Sequence, residues 1–321
     1  FGYHLLVDAI KALIARLDRF QQAHRPLAIG WAVNKKYGDD RGGYLAALVA
    51  YYGFISVFPL MLAFFSVVAF VLPGNDSTIA SLDKHLGSFP VIGTALPQIQ
   101  QHKLGGSVLA VVLGLLGLIW GATGLAQTLQ YTMDEVWSVR RRDRAGFLPR
   151  LLTALEWYVA FGVGVVVSVI VSSLGSIFNW GPAGPVLAAL PALAFNMGLF
   201  VLSFRILSDK SAGTRQLVPG ALVSGVAWTV LTGVGLSLVT HQVKHASALY
   251  GTIGVTLGFV AFLYLVARIT LYAAEWNVVR SRHLYPRSMT NSPLSGADKQ
   301  VLSDLARREE QTGEQRVNVE F

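Results

Sequence analysis

The sequence predicts an all-α, polytopic membrane protein with six spanning helices, on three observations. Only 14% of its 321 residues are charged against 53% hydrophobic, with a mean hydropathy of +0.50, whereas soluble domains carry about one-quarter charged residues. The apolar residues gather into six blocks, each long enough for the roughly 20 residues that a spanning helix needs. The Lys and Arg residues alternate between intervening loops, rich then poor, as the positive-inside rule requires.

The elements follow in order. Residues 1–40 read as peripheral helices on the cytoplasmic surface. Leu5, Leu6, Ala9, Ile10, Leu13, Ile14 and Leu17 recur at helical spacing, with Asp8, Lys11, Arg16 and Asp18 mostly on other faces. This helix either lies on anionic lipid or packs against the inner ends of the bundle. Residues 1–25 carry charges throughout, with no compact apolar run, and so do not read as a signal peptide. Pro26 opens a second short helix, and Trp31 suits an interfacial position. The membrane domain, 41–280, holds the predicted spans Tyr44–Leu72, Gly106–Tyr131, Leu151–Leu174, Pro185–Leu207, Leu217–Thr240 and Tyr250–Trp276. The loop 73–105 carries only Lys84 and Lys103, whereas the next carries Arg140, Arg141, Arg142, Arg144 and Arg150. Continued to the end, this alternation places both termini inside. Short helices within 77–103 are expected over the outer end. The polar cytoplasmic tail, 281–321, contains Ser295 with Asp298, a capping box for a helix to about Glu310, and reads as disordered beyond it.

Small residues recur at helical spacing where spans should meet. Gly114, Gly117, Gly121 and Gly124 share one face of the second span, and Gly251, Gly254 and Gly258 one face of the sixth. Pro59 should kink the first span by removing a backbone hydrogen bond.

Charge inside a bilayer is costly and marks candidate sites. Here those residues are Arg268 and Glu275 in the sixth span, Glu156 in the third, and Gln127, Gln130, Asp134 and Glu135 at the end of the second, all in the cytoplasmic half. Tyr51, Tyr52 and Ser56 add uncharged polar groups in the first span. The charged groups are expected to cluster, with Arg268 paired to Glu156, Glu275 or Asp134. Either they anchor the inner helix ends as ion pairs and snorkelling side chains, or they line a cytoplasm-facing cavity for a charged head group.

The absence of cysteine excludes disulfides, thiolate metal sites and cysteine nucleophiles. His241 and His245 stand four residues apart, but no acidic residue lies nearby in sequence, and no metal site is read there. No phosphate-binding loop motif is present. The pI of about 9.8 is explained by the cytoplasmic arginines without nucleic acid.

The run LAALVAYYGFISVFPLML, Leu45–Leu62, resembles the first span of the YihY/BrkB family, once labelled ribonuclease BN, with Tyr51, Tyr52, Ser56 and Pro59 at its marked positions. IWGATGLAQTLQYTMDEVW, Ile119–Trp137, and VPGALVSGVAW, Val218–Trp228, match further on. In Leu249–Val279, Tyr250, Gly251, Gly254, Leu263, Tyr264 and Glu275 follow the family pattern, while Ala273 stands where the family has Gly. The basic, polar-tailed character is most similar to the YhjD-type branch. The resemblance implies six spans in the bacterial inner membrane and suggests transport of lipid or another amphiphile. A transporter of an anionic or amphiphilic substrate is therefore expected, a non-transporting scaffold being the alternative. A ribonuclease is disfavoured, because no metal-ligand cluster or acid–base pair stands in any soluble loop. Membrane lipids are the expected partners and a homo-oligomer is left open. No nucleic acid, cofactor, metal or enzymatic activity is expected.

Overall fold

The computed structural model describes residues 2–71, 108–177, 184–208, 212–290 and 293–321. The expected outer helices within 77–103 lie outside these residues. Among the described residues the chain is helical, with no strand: α1 (Gly2–Ala23), α2 (Arg25–Asp39), α3 (Gly42–Val71), α4 (Val108–Val136), a 3₁₀ turn (Arg141–Asp143), α5 (Phe147–Ile177), α6 (Gly184–Leu207), α7 (Thr214–Ser281) and α8 (Gly296–Arg308). Each of the six apolar segments falls on helix over its described residues.

The last two apolar segments share one helical stretch, α7, 68 residues long. A straight helix of that length would reach about 100 Å, some three times the hydrocarbon core of a bilayer. The contacts show that it is not straight. The backbone N–H of Gly220 donates to Asn277 Oδ1 at 2.7 Å, and Asn277 Nδ2 donates to the Leu217 carbonyl at 3.0 Å. The rings of Trp228 and Phe262 lie 6.5 Å apart. The chain therefore reverses between Trp228 and Phe262, and α7 is an antiparallel hairpin. The sequence places the intervening outer loop in the same interval.

Around this hairpin, α6 packs on α7 and α5, and α3 packs on α4 and α7. Close approach is enforced where side chains are missing. A Cβ at Gly220 would collide with the Ala273 carbonyl oxygen and come within 2.6 Å of Asn277 Nδ2. One at Gly225 would come within 2.8 Å of the Met197 Cα. These approaches are how membrane helices associate without a hydrophobic drive between them. The predicted glycine stripes serve this unevenly. A Cβ at Gly124 would meet the Tyr52 ring at 3.0 Å, so this glycine is a packing position. Gly258 is not, because it faces outward and a Cβ there would meet nothing within 4 Å. Gly254 is half-buried. Gly114, Gly117, Gly121, Gly251 and Pro59 lie within helices, but their surroundings fall outside the described side chains.

The exterior is apolar. Leu152, Leu155, Val159 and Val163 form an exposed stripe along α5, and Leu222, Val226, Val230, Ile253 and Leu257 are exposed on α7. An apolar surface of this extent suits lipid or a partner rather than water. Among the described residues, the stretch Thr256–Ser281 is long and apolar enough to cross a membrane, with a mean hydropathy of 1.8, and Gly42–Val57 and Leu193–Leu207 are shorter apolar helices. The well-buried core lies at the opposite extreme, where Met133, Val136 and Trp137 of α4 and its end meet Phe204 of α6, Leu217, Leu271, Val278 and Val279 of α7, and Val301 of α8.

The short helices complete that core. Pro26 lies in the first turn of α2, where its missing N–H costs nothing. The buried face of α2 runs Ala28, Ile29, Ala32, Val33, Lys36 and Tyr37, one continuous helical stripe. Ser295 caps α8, its hydroxyl accepting from the Asp298 N–H at 3.1 Å, as the capping box predicts. Beyond Glu310 the chain has contacts of its own: Val317 N–H donates to Glu310 Oε1 at 3.1 Å, and Lys299 sits 5.7 Å from the centre of the Phe321 ring.

Candidate functional site

Two groups of charges occupy the end of the bundle where α2, α8 and the last turns of α7 meet. The first is a buried chain of alternating sign. Lys36 donates to Glu275 at 2.9 Å, to Asp40, and to the Val136 carbonyl at 2.7 Å, which uses all three of its ammonium protons. Asp40 also accepts from Arg308 at 2.9 Å, Arg308 reaches Glu135 at 2.9 Å, and Glu135 accepts from Arg144 at 2.9 Å. Three carboxylates and three cations thus alternate without net charge. Burial, the largest influence on Lys36, works to lower its pKa. Glu275 and Asp40 together outweigh it and hold the ammonium above its ordinary 10.5.

The chain joins parts that are distant in sequence. Lys36 and Asp40 come from the end of α2, Glu135 from α4, Glu275 from α7 and Arg308 from α8. Left-handed residues place several of them. Arg41, Ser138 and His283, with φ of 55°, 51° and 56°, turn the chain directly after α2, α4 and α7. At Ser138 the turn is a Schellman motif: Val139 N–H bonds to the Asp134 carbonyl at 2.8 Å and Ser138 N–H to that of Glu135 at 3.0 Å.

A second ionic knot fastens the tail. Asp298 accepts from Arg287 at 2.8 Å, Lys35 at 3.0 Å and the Ser288 N–H at 3.0 Å, while Arg287 also reaches Asp39 at 2.7 Å. Burial, the largest influence on Asp298, works to raise its pKa, but these donors hold the carboxyl well below the usual carboxylate range.

Arg268 stands apart from both groups. It is exposed. The rings of Tyr37 and Tyr272 stack 4.0 Å apart at 11°, and the guanidinium lies 6.0 Å and 5.8 Å from their centres. These are cation–π distances. Tyr37 is buried, and burial pushes its hydroxyl pKa up to about 12. The Tyr37 hydroxyl faces the Arg268 guanidinium, and Tyr272 Oη donates to Asn34 at 3.2 Å.

The expected pairing of Arg268 with Glu156, Glu275 or Asp134 is therefore corrected. Glu275 lies two turns further along α7, about 10 Å, and Lys36 reaches it from α2. Asp134 pairs with Arg150 at 2.8 Å, and the Arg150 carbonyl accepts from Gln130 at 3.0 Å. Glu156 is exposed on the apolar stripe of α5, and Gln127 is half-buried. Ser56 donates to the Tyr52 carbonyl at 2.6 Å, and Tyr51 and Tyr52 form an edge-on pair at 5.3 Å, both exposed. Sequence reasoning assigned Lys36, Asp40 and Arg308 no role at the site. The signal for Lys36 is its position four residues after Ala32, on the apolar face of α2. Arg308 carries no comparable signal.

Comparison with known proteins places these elements in a family. The model of the family described as virulence factor BrkB matches residues 33–294. The inner membrane protein YhjD of Escherichia coli (strain K12) is 22% identical over 264 residues, covering 75% of this chain and 77% of that protein. A ribonuclease-like protein, YfkH, of Bacillus subtilis (strain 168) is 18% identical over 259 residues, covering 76% and 92%. A UPF0761 membrane protein of Methylibium petroleiphilum is 28% identical over 301 residues, covering 85% and 68%. No solved structure matches.

Proposed function

The chain belongs to the BrkB family of membrane proteins, and on that premise we propose that it spans the bacterial inner membrane six times, with both termini inside, and translocates an anionic lipid or similar amphiphile. In this reading 1–40 and 281–321 form the cytoplasmic layer around a membrane domain of 41–280. Arg268 contacts the anionic head group.

The observation that carries this is the exposed guanidinium over the stacked Tyr37–Tyr272 pair. The turns of α7 that follow it, with Leu271, Ala274, Glu275 and Val278 buried, are covered by the cytoplasmic layer. Arg268 then sits where that layer meets the bilayer, at head-group depth. A guanidinium there, braced by aromatic rings and unpaired with any carboxylate among the described residues, suits a phosphate or carboxylate. Tyr51 and Tyr52, exposed on α3, suit the aromatic belt of the same boundary. Lipids are the partners this reading needs, and it needs neither metal nor nucleic acid.

A non-transporting, lipid-binding scaffold is favoured by one observation, the closure of the inner helix ends by the buried ionic chain. An enzymatic reading has little support. Among the described residues no group of three metal-ligating side chains is assembled. The arginine run that could attract RNA is engaged instead: Arg141 with Glu309 at 3.0 Å, Arg142 with Glu310 at 3.3 Å and Arg144 with Glu135.

The test is reconstitution into liposomes carrying fluorescent anionic or zwitterionic phospholipid, with leaflet exchange followed by chemical quenching. Exchange of the anionic lipid that is lost in Arg268→Ala supports translocation. Exchange no faster than in protein-free liposomes, with lipid still bound, assigns the scaffold reading.

A further inference from the structure

The first helix presents a surface that neither the ionic chain nor the Arg268 site uses. Ile10, Leu13, Leu17 and Phe20 are 48%, 58%, 50% and 56% exposed. Their spacing of three, four and three places them in one stripe. Exposure of this kind on a helix with no other fixation would mean little, but α1 is held along the adjoining face, where Ile14 and Asp18 are half-buried and Gln21 is buried. Asp18 accepts from the Met289 N–H at 2.9 Å and from Ser288 Oγ at 3.3 Å, and Gln21 Nε2 donates to the Arg287 carbonyl at 2.7 Å. The same segment meets α2, where Lys35 donates to the Ser288 carbonyl at 2.8 Å. Residues 287–289 are thus wedged between α1 and α2. The first helix also packs against the second.

We propose that α1 lies on an anionic membrane surface, with Ile10, Leu13, Leu17 and Phe20 set into the head-group layer and Lys11, Arg16 and Arg19 beside it. Charge decides the occupant. Lys11, Arg16 and Arg19 are exposed, and none of them forms an ion pair among the described residues. Asp18 is turned toward the protein. Arg16 therefore borders the stripe and Lys11 and Arg19 lie on the polar face behind it, and exposed cations so placed are drawn to an anionic leaflet. A narrow stripe of this spacing also suits a two-stranded coiled coil. A second copy would then bring Arg16 beside a seam with no acidic residue to meet it, which disfavours self-pairing. Burial of the apolar face with cations alongside is how interfacial helices bind.

The chain contains no cysteine, so single substitutions report one position each. Leu13→Cys and Leu17→Cys, with Ala12→Cys and Ala15→Cys as controls on the other face, are labelled with a polarity-sensitive fluorophore in the full-length protein. The proteins are reconstituted in phosphatidylglycerol or in phosphatidylcholine vesicles containing a nitroxide-bearing lipid. In phosphatidylglycerol, quenching at positions 13 and 17 is expected to exceed that at 12 and 15 by roughly twofold or more, as an apolar face in the interface requires. The difference should shrink in phosphatidylcholine and after Arg16→Glu with Arg19→Glu. Equal quenching at all four positions would overturn the proposal. So would excimer formation by pyrene at positions 13 and 17, which would assign the stripe to a second copy of the chain. Because the readout is local, loss of lipid translocation leaves this test intact, and the two readings can fail separately.

Discussion

The protein treats the two cations Lys36 and Arg268 in opposite ways. Lys36 is 2% exposed and meets two carboxylates and a carbonyl. Arg268 is exposed, braced by aromatic rings. A buried ammonium must be fully compensated, because desolvation costs several kcal/mol per ion. An exposed guanidinium at the rim of a stacked tyrosine pair stays in contact with its surroundings and needs no such compensation. The difference separates a cation that holds helices together from one that we propose meets a ligand, and each can be tested by removing it.

The largest effect on stability is expected at Lys36. Lys36→Met leaves Asp40 and Glu275 buried beside each other, and breaking a buried pair in this way costs about 3–5 kcal/mol. Thermal unfolding in detergent should show a pronounced fall in Tm, with much of it recovered when Glu275→Gln is added. An unchanged Tm would mean that the ionic chain contributes little. Gly220→Val comes next. Its side chain would be driven into Ala273 and Asn277, and overpacking of this kind costs about 1–3 kcal/mol. A wild-type Tm would contradict the close approach of the two arms of α7.

The pH dependence follows from the same region. Lys36 and Tyr37 both have folded pKa values raised above their ordinary 10.5 and 10.0. Their contributions are therefore fully present below those values and lost as pH rises through the folded ones, about 12 for Tyr37. Asp298 behaves in reverse: held below its ordinary 3.8, it contributes above that value and loses its effect only as pH falls through its lower folded value. The contributions of these three groups should therefore hold from mild acid to about pH 10, and those of Lys36 and Tyr37 decline beyond it, together with the appearance of tyrosinate absorbance. A decline near neutrality would place the sensitive groups elsewhere.

The helices were more legible in the sequence than the contacts between them. As far as they are described, all six apolar blocks fall on helix, and the reversal inside α7 falls in the interval that holds the expected loop, because hydrophobic length and turn position are local properties. The Ser295–Asp298 cap was legible for the same reason. The charged pairs were harder. Glu275 and Asp134 stand out as candidates, but of their partners Arg150 reads only as a loop cation and Lys36 draws no reading of its own. Lys36 betrays itself by falling on the apolar face of α2, a signal masked by its neighbour Lys35. Arg308 reaches Asp40 and Glu135 only because α8 folds back onto the bundle, a long-range event that no spacing in the sequence encodes. The glycine stripes divide in the same way: Gly124 packs because Tyr52 happens to face it, whereas Gly258 has no neighbour within reach of a Cβ.

The smallest change in stability and the largest in binding are expected at Arg268. As an exposed position it should tolerate Arg268→Ala within about 0.5 kcal/mol. The most direct measurement is the affinity of the purified protein for an anionic phospholipid against a zwitterionic one, by native mass spectrometry, in wild type and Arg268→Ala. A preference for the anionic lipid that falls about tenfold in the variant, equivalent to about 1.4 kcal/mol, with Tm unchanged, is the predicted result. An equal preference in both proteins would contradict the assignment of Arg268 as the head-group contact.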